Sequence, residues 1–192
     1  MIPNLATLSP PEFIEINGTE YPINFHYLVW IEILDLLDEL DFDNLEADID
    51  IVAEIETLAF GNILNENVYF VLASVSEFAA GYPKPKNDRA PSPPSRRIVD
   101  FGIDLNSIII AIRDQSGIDL IDNDDLFHWW RFLVEFENLN DSHHISKIME
   151  LRAYDGDDKA MKKARDAVAL PRKITRKDQR FEDEMADLFY NC

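Results

Sequence analysis

The chain has 192 residues, with 37 acids against 18 bases and a net charge of −19. That length suits one domain with a core of its own. So negative a field repels nucleic-acid phosphates over roughly a Debye length, ~10 Å at 0.1 M salt, and argues against direct DNA or RNA binding. No apolar run approaches the ~20 residues of a membrane-spanning helix, and no basic, hydrophobic leader opens the chain. The lone cysteine, Cys192, has no internal partner, so a soluble protein of a reducing cytoplasm is expected.

The charge is unevenly spread. Residues 1–83 hold 16 acids and no Lys or Arg, residues 84–97 hold five bases and one acid, and residues 142–192 hold ten acids and eleven bases. The chain divides into an acidic half over 1–81, a basic Pro-rich loop over 82–97, a helical half over 98–170 and a C-terminal amphipathic helix over 171–192. All four are expected to form one domain.

In chain order, "EFIEINGTEYPIN" (12–24) alternates apolar positions on both sides of Asn17-Gly18, which predicts a small hairpin. Residues 26–40 predict a buried helix whose solvated edge is Glu32, Asp35, Asp38 and Glu39. Residues 44–60 predict a looser acidic helix, and 65–80 a third that stops at Gly81. The stretch 82–97, with five prolines, reads as an exposed linker, although "PSPPSR" also has the form of an SH3 ligand. Further helices are predicted over 105–117, ended by Gly117, and over 126–139, with the Asp and Asn residues before it as caps. Others follow over 141–154, 157–169 and 177–190, where Phe181, Met185, Leu188 and Phe189 share a face. The fold class is mainly α, about seven helices with a small N-terminal β-hairpin.

Chemistry-bearing motifs are scarce. His143 and His144 are adjacent and point ~100° apart on a helix, so with His128 they make a poor metal set, and no metal site is expected. The acidic runs "DFDNLEADID" and "YDGDDK" lack the order of a calcium loop. No Gly-x-Ser-x-Gly, no internal cysteine and no Gly-rich phosphate loop is present. Neither catalysis nor a cofactor is expected. The basic C-terminal quarter, with Lys162, Lys163, Arg172 and Lys173, allows two readings: head-to-tail self-association with the acidic half of another copy, or neutralisation of the same chain's acids.

Residues 125–139, "DLFHWWRFLVEFENL", hold five aromatics, roughly 1,000 Å² of apolar surface at ~200 Å² each. His128, Arg131, Glu135 and Asn138 form one polar stripe, and nearly everything else is apolar. Either this helix is central or part of it faces a partner. On both readings Trp129, Trp130, Phe132 and Phe136, followed by Leu188 and Phe189, are the core or partner-contact residues. Trp129 and Trp130, ~100° apart on the wheel, are expected to serve different neighbours.

Several of these stretches resemble a family of phage tail proteins encoded next to the tape-measure gene in long-tailed phages of Gram-positive bacteria. The matching residues are His128–Phe132, then Ser146–Met149, Arg152-Ala153 and Ala169–Pro171, with the hairpin Ile14–Asn24 at the front. Members often carry Gly-Tyr-Arg after Ser-Lys-Ile-Met, where this chain has Glu150-Leu151-Arg152. The resemblance implies a tail assembly chaperone that coats the tape-measure protein, works as an oligomer in the host cytoplasm and is absent from the finished virion. The tail tube protein would be a further contact, with no nucleic acid or membrane as partner. An acidic nucleic-acid mimic and a minor structural tail component stand as alternatives.

Overall fold

Asn17 and Gly18 both sit at positive φ, 52° and 80°, the backbone that a two-residue hairpin turn demands. The turn joins β1 (Phe13–Ile16) to β2 (Thr19–Pro22), antiparallel, with Ile14 opposite Tyr21 and Ile16 opposite Thr19. Ile14 and Ile16 point into the core while Phe13 and Glu15 face out, the alternation that the pleat imposes. This computed structural model describes residues 9–81, 96–121, 127–176, and residues 178, 179, 181, 182 and 185.

Seven helices follow among the described residues: α1 (Tyr27–Glu39), α2 (Ile49–Phe60), α3 (Val68–Ala79), α4 (Phe101–Ser116), α5 (Trp129–Glu137), α6 (His144–Ala153) and α7 (Lys159–Ala167). The mainly α class with an N-terminal hairpin is as predicted. The boundaries moved where a cap decides them. Asp100 accepts from the Ile103 amide at 3.2 Å and starts α4 four residues earlier than the apolar pattern suggested. Residues 44–48 form turns rather than helix, because the Asp48 carboxylate folds back to accept from the Asp41 amide at 2.9 Å. Gly61 and Gly117 take the left-handed conformation that ends α2 and α4.

The core is shared by the hairpin and six of the helices. Trp30 and Ile33 of α1, Ile55 of α2, Val71 and Val75 of α3, Ile108 and Ile112 of α4, and Trp129 and Phe132 of α5 are all fully buried. The hairpin packs on α3; α1 lies against α2 and α5; α4 lies against α5 and α6. Helix α7 buries no residue and packs against α6. No described helix is long and apolar enough to cross a membrane. The Pro-rich stretch 82–95 and the residues Leu188 and Phe189 lie outside the described residues.

Candidate functional site

Helices α1 and α5 begin side by side. The Tyr27 amide donates to the Phe127 carbonyl (3.0 Å) and the Trp129 amide to the Phe25 carbonyl (2.8 Å), a single antiparallel bridge centred on His26 and His128. Each histidine caps its own helix through Nδ1: His26 accepts from the Leu28 amide (3.3 Å) and His128 from the Trp130 amide (3.0 Å). With Nδ1 accepting, His128 carries its proton on Nε2, which donates to the Pro11 carbonyl at 2.9 Å. Burial, aided by the nearby Arg131 charge, lowers the His128 pKa against the opposing pull of the Pro11 bond and Glu12. The polar stripe predicted for this helix is therefore wrong at its first member. His128 is a buried cap, not part of a wet edge. The matching triplets Phe25-His26-Tyr27 and Phe127-His128-Trp129 are the sequence signal that pattern reading overlooked.

The two tryptophans meet the same neighbour, contrary to expectation. Trp129 Nε1 donates to the Ala79 carbonyl (3.0 Å) and Trp130 Nε1 to the Phe78 carbonyl (2.9 Å). The two indoles reach successive carbonyls at the end of α3, where the helix runs out of its own i+4 donors. Trp129 and Phe132 are fully buried, in a ring cluster with Tyr27, Phe101 and Phe136 at centroid distances of 5.1–6.4 Å. The helix is central. Its two half-buried aromatics are Trp130 and Phe136. Trp130 forms one wall of a groove of about 240 Å³ with Phe13, Ile14 and Phe78, rimmed by Glu15 and Glu77.

A second polar centre lies between α4 and α6. Arg152 donates to both carboxylate oxygens of Asp104, at 2.6 and 3.2 Å, and also to the Ile98 and Val168 carbonyls at 3.0 and 2.7 Å. Both side chains are nearly buried, 7% and 6% exposed. Sequence reading singled out Arg152 but not its partner, because a separation of 48 positions hides the pairing.

Arg152 also reaches a cleft of about 730 Å³ that gathers Arg96, Arg97, Arg165, Arg172 and Lys173, with Asp38 and Asp166 as its acids. Its floor is Ala169, Leu170 and Pro171. Of the four predicted self-association bases, Arg172 and Lys173 come together here, whereas Lys162 and Lys163 on α7 are not in its lining. Lys173 bonds Asp35 and Asp38 of α1 (3.1 and 3.0 Å), and Arg176 bonds Glu54 of α2 (2.8 Å). Burial lowers the Lys173 pKa, but the hydrogen bonds to Asp38 and Asp35 outweigh it and the net shift is upward. Arg172 pairs with Asp178 at 2.8 Å and Lys162 with Asp157 at 3.0 Å, while exposed Lys163 has no ion pair among the described residues. Several bases thus neutralise this chain's own acids, one of the two readings of the basic quarter.

Among the described residues no group of three or more His, Cys, Asp or Glu is placed to hold a metal ion. The family model described as Bacteriophage Gp15 protein matches residues 9–175. No curated protein and no solved structure matches the chain.

Proposed function

Since the chain belongs to the Bacteriophage Gp15 protein family, we propose that it is a tail assembly chaperone, holding the tape-measure protein soluble while the tail tube forms. The observation that carries the reading is the groove at Trp130, an aromatic wall inside an acidic rim. Phe13 stands half exposed beside it, and exposed Phe70 lies one helical turn before the groove residue Ser74. Such a groove suits an amphipathic helix with apolar anchors on one face and Lys or Arg on its flanks. The identity of the client rests on the resemblance carried by His128–Phe132 and Ser146–Met149. A charge of −19 would keep the loaded complex soluble. On this reading the protein works in the host cytoplasm as an oligomer and leaves before the virion is complete. It touches the tail tube protein in passing, and has no catalytic step, cofactor, nucleic-acid or membrane partner.

Co-expression with the tape-measure protein of the same phage genome tests this. Soluble, co-eluting client is the expected result. The surface variant Phe13→Ala/Glu77→Lys should lose the rescue while keeping its own melting temperature. Insoluble client despite abundant folded protein would refute the proposal. Stoichiometric amounts of this chain in purified particles would make it a structural tail component instead.

A further inference from the structure

We infer that the basic cleft between α1 and the 165–173 segment is half of a two-fold contact between copies of this chain, filled by the other copy's acidic, apolar stretch 42–50. The inference deepens the self-association in the proposed function and is independent of the client.

Six cations line one depression in a chain of net charge −19. Most of them are paired, but Arg96 is exposed without an ion pair among the described residues, and the Arg172 side chain is 82% exposed. The cleft thus presents cationic rims over an apolar floor of Leu170 and Pro171. A free polyanion would complement the rims but not the floor, and the surrounding field repels it.

The complement lies on the same chain. Phe42 is 51% and Ile49 57% exposed, large apolar side chains with no cover. Asp43, Glu46 and Asp50 between and beside them are exposed and carry no ion pair among the described residues. Carboxylates flanking apolar anchors fit cations flanking an apolar floor.

Placement decides the symmetry. Asp38, which lines the cleft, precedes Phe42 by four residues. Asp50 is one turn of α2 before Glu54, whose partner Arg176 follows the cleft residue Lys173 by three positions. The acidic stretch therefore runs on from the edge of the cleft at Asp38. Adjoining complementary patches allow a two-fold pair to close, each stretch entering the other copy's cleft, whereas a head-to-tail contact would build a ring or an open chain. At 0.15 M salt a Debye length of ~8 Å screens repulsion between the remote acids of the two copies but not the contacts inside the cleft.

Charge reversal tests the pairing, read by size-exclusion with light scattering on the full chain at 0.15 M salt. The unaltered protein should run at twice the chain mass. Arg96→Glu/Arg172→Glu and Asp43→Lys/Glu46→Lys should each weaken dimerisation at least tenfold, with unchanged far-ultraviolet dichroism. Mixing the two variants should restore the dimer, because a reversed cleft then meets a reversed stretch at one contact and the native pair survives at the other. A monomer at high concentration, variants that dimerise like the parent, or a mixture of folded variants that stays monomeric would each overturn the inference. A mixture growing beyond two chains would overturn the two-fold geometry. A monomeric variant that still solubilises the tape-measure protein would leave the client reading standing, so the two can fail separately.

Discussion

Replacing Arg152 with Met removes the buried ion pair together with the two carbonyl bonds that the same guanidinium makes. The guanidinium makes four hydrogen bonds, two to Asp104 and one each to the Ile98 and Val168 carbonyls. Without it Asp104 keeps the Asp100 amide, which donates at 3.0 Å, as its remaining partner described here. Removing one partner of a buried pair strands the other charge, at a cost of about 3–5 kcal/mol. Against a total stability of roughly 5–15 kcal/mol that is about a fifth or more, and for a chain of this size it lowers the melting temperature by roughly 6–20 °C. Urea unfolding at pH 7 reads the loss. The double variant Arg152→Met/Asp104→Leu should be more stable than Arg152→Met alone, since no charge is left unpaired. A loss below about 1 kcal/mol for Arg152→Met would refute the reasoning, as would a double variant whose loss is the plain sum of the two singles.

Two further predictions rest on α5. Burial holds the His128 pKa below its unfolded value, so the unfolded chain binds more protons in that window and stability rises with pH. The contribution is complete above the unfolded value of ~6.5 and is lost as pH falls toward the folded pKa, with a slope of at most about 1.4 kcal/mol per pH unit. Urea midpoints between pH 5 and 8 should show this slope, and His128→Asn, which keeps a capping oxygen, should flatten it. Trp129→Ala should cost about 3–5 kcal/mol, as fully buried aromatics do, and half-buried Trp130→Ala clearly less; equal losses would contradict the burial described for the pair.

The hairpin and the helix count were legible because their signals are local. Asn17-Gly18 sets its own backbone, and the apolar period of α1 and α3 persists over several turns. Helix starts were less so. The caps that set them are single side chains, and histidine, used at both His26 and His128, is not among the usual capping residues. The apolar character of the Trp129-Trp130 stretch was plain, but whether it faced a partner or the core depended on α1, α3 and α4 closing around it. The same limit hid the Asp104–Arg152 pair and the basic cleft. The cleft joins residues 38, 96–97, 152, 165–166 and 169–173, which only the folded chain brings together.

The bridge at His26 and His128 sets a schedule for the nascent chain. Helix α1 lies on residues that emerge from the ribosome about a hundred positions later, about 5–20 s at ordinary rates of synthesis. During that interval Tyr27 has no Phe132 of α5 to stack on, and the start of α1 lacks the bridge to Phe127 and Trp129. An early, aromatic-rich segment waiting on a late one is a target for misassembly with neighbouring chains on the same message. Its density of carboxylates, with no Lys or Arg before residue 84, gives such neighbours a mutual repulsion until the second half arrives.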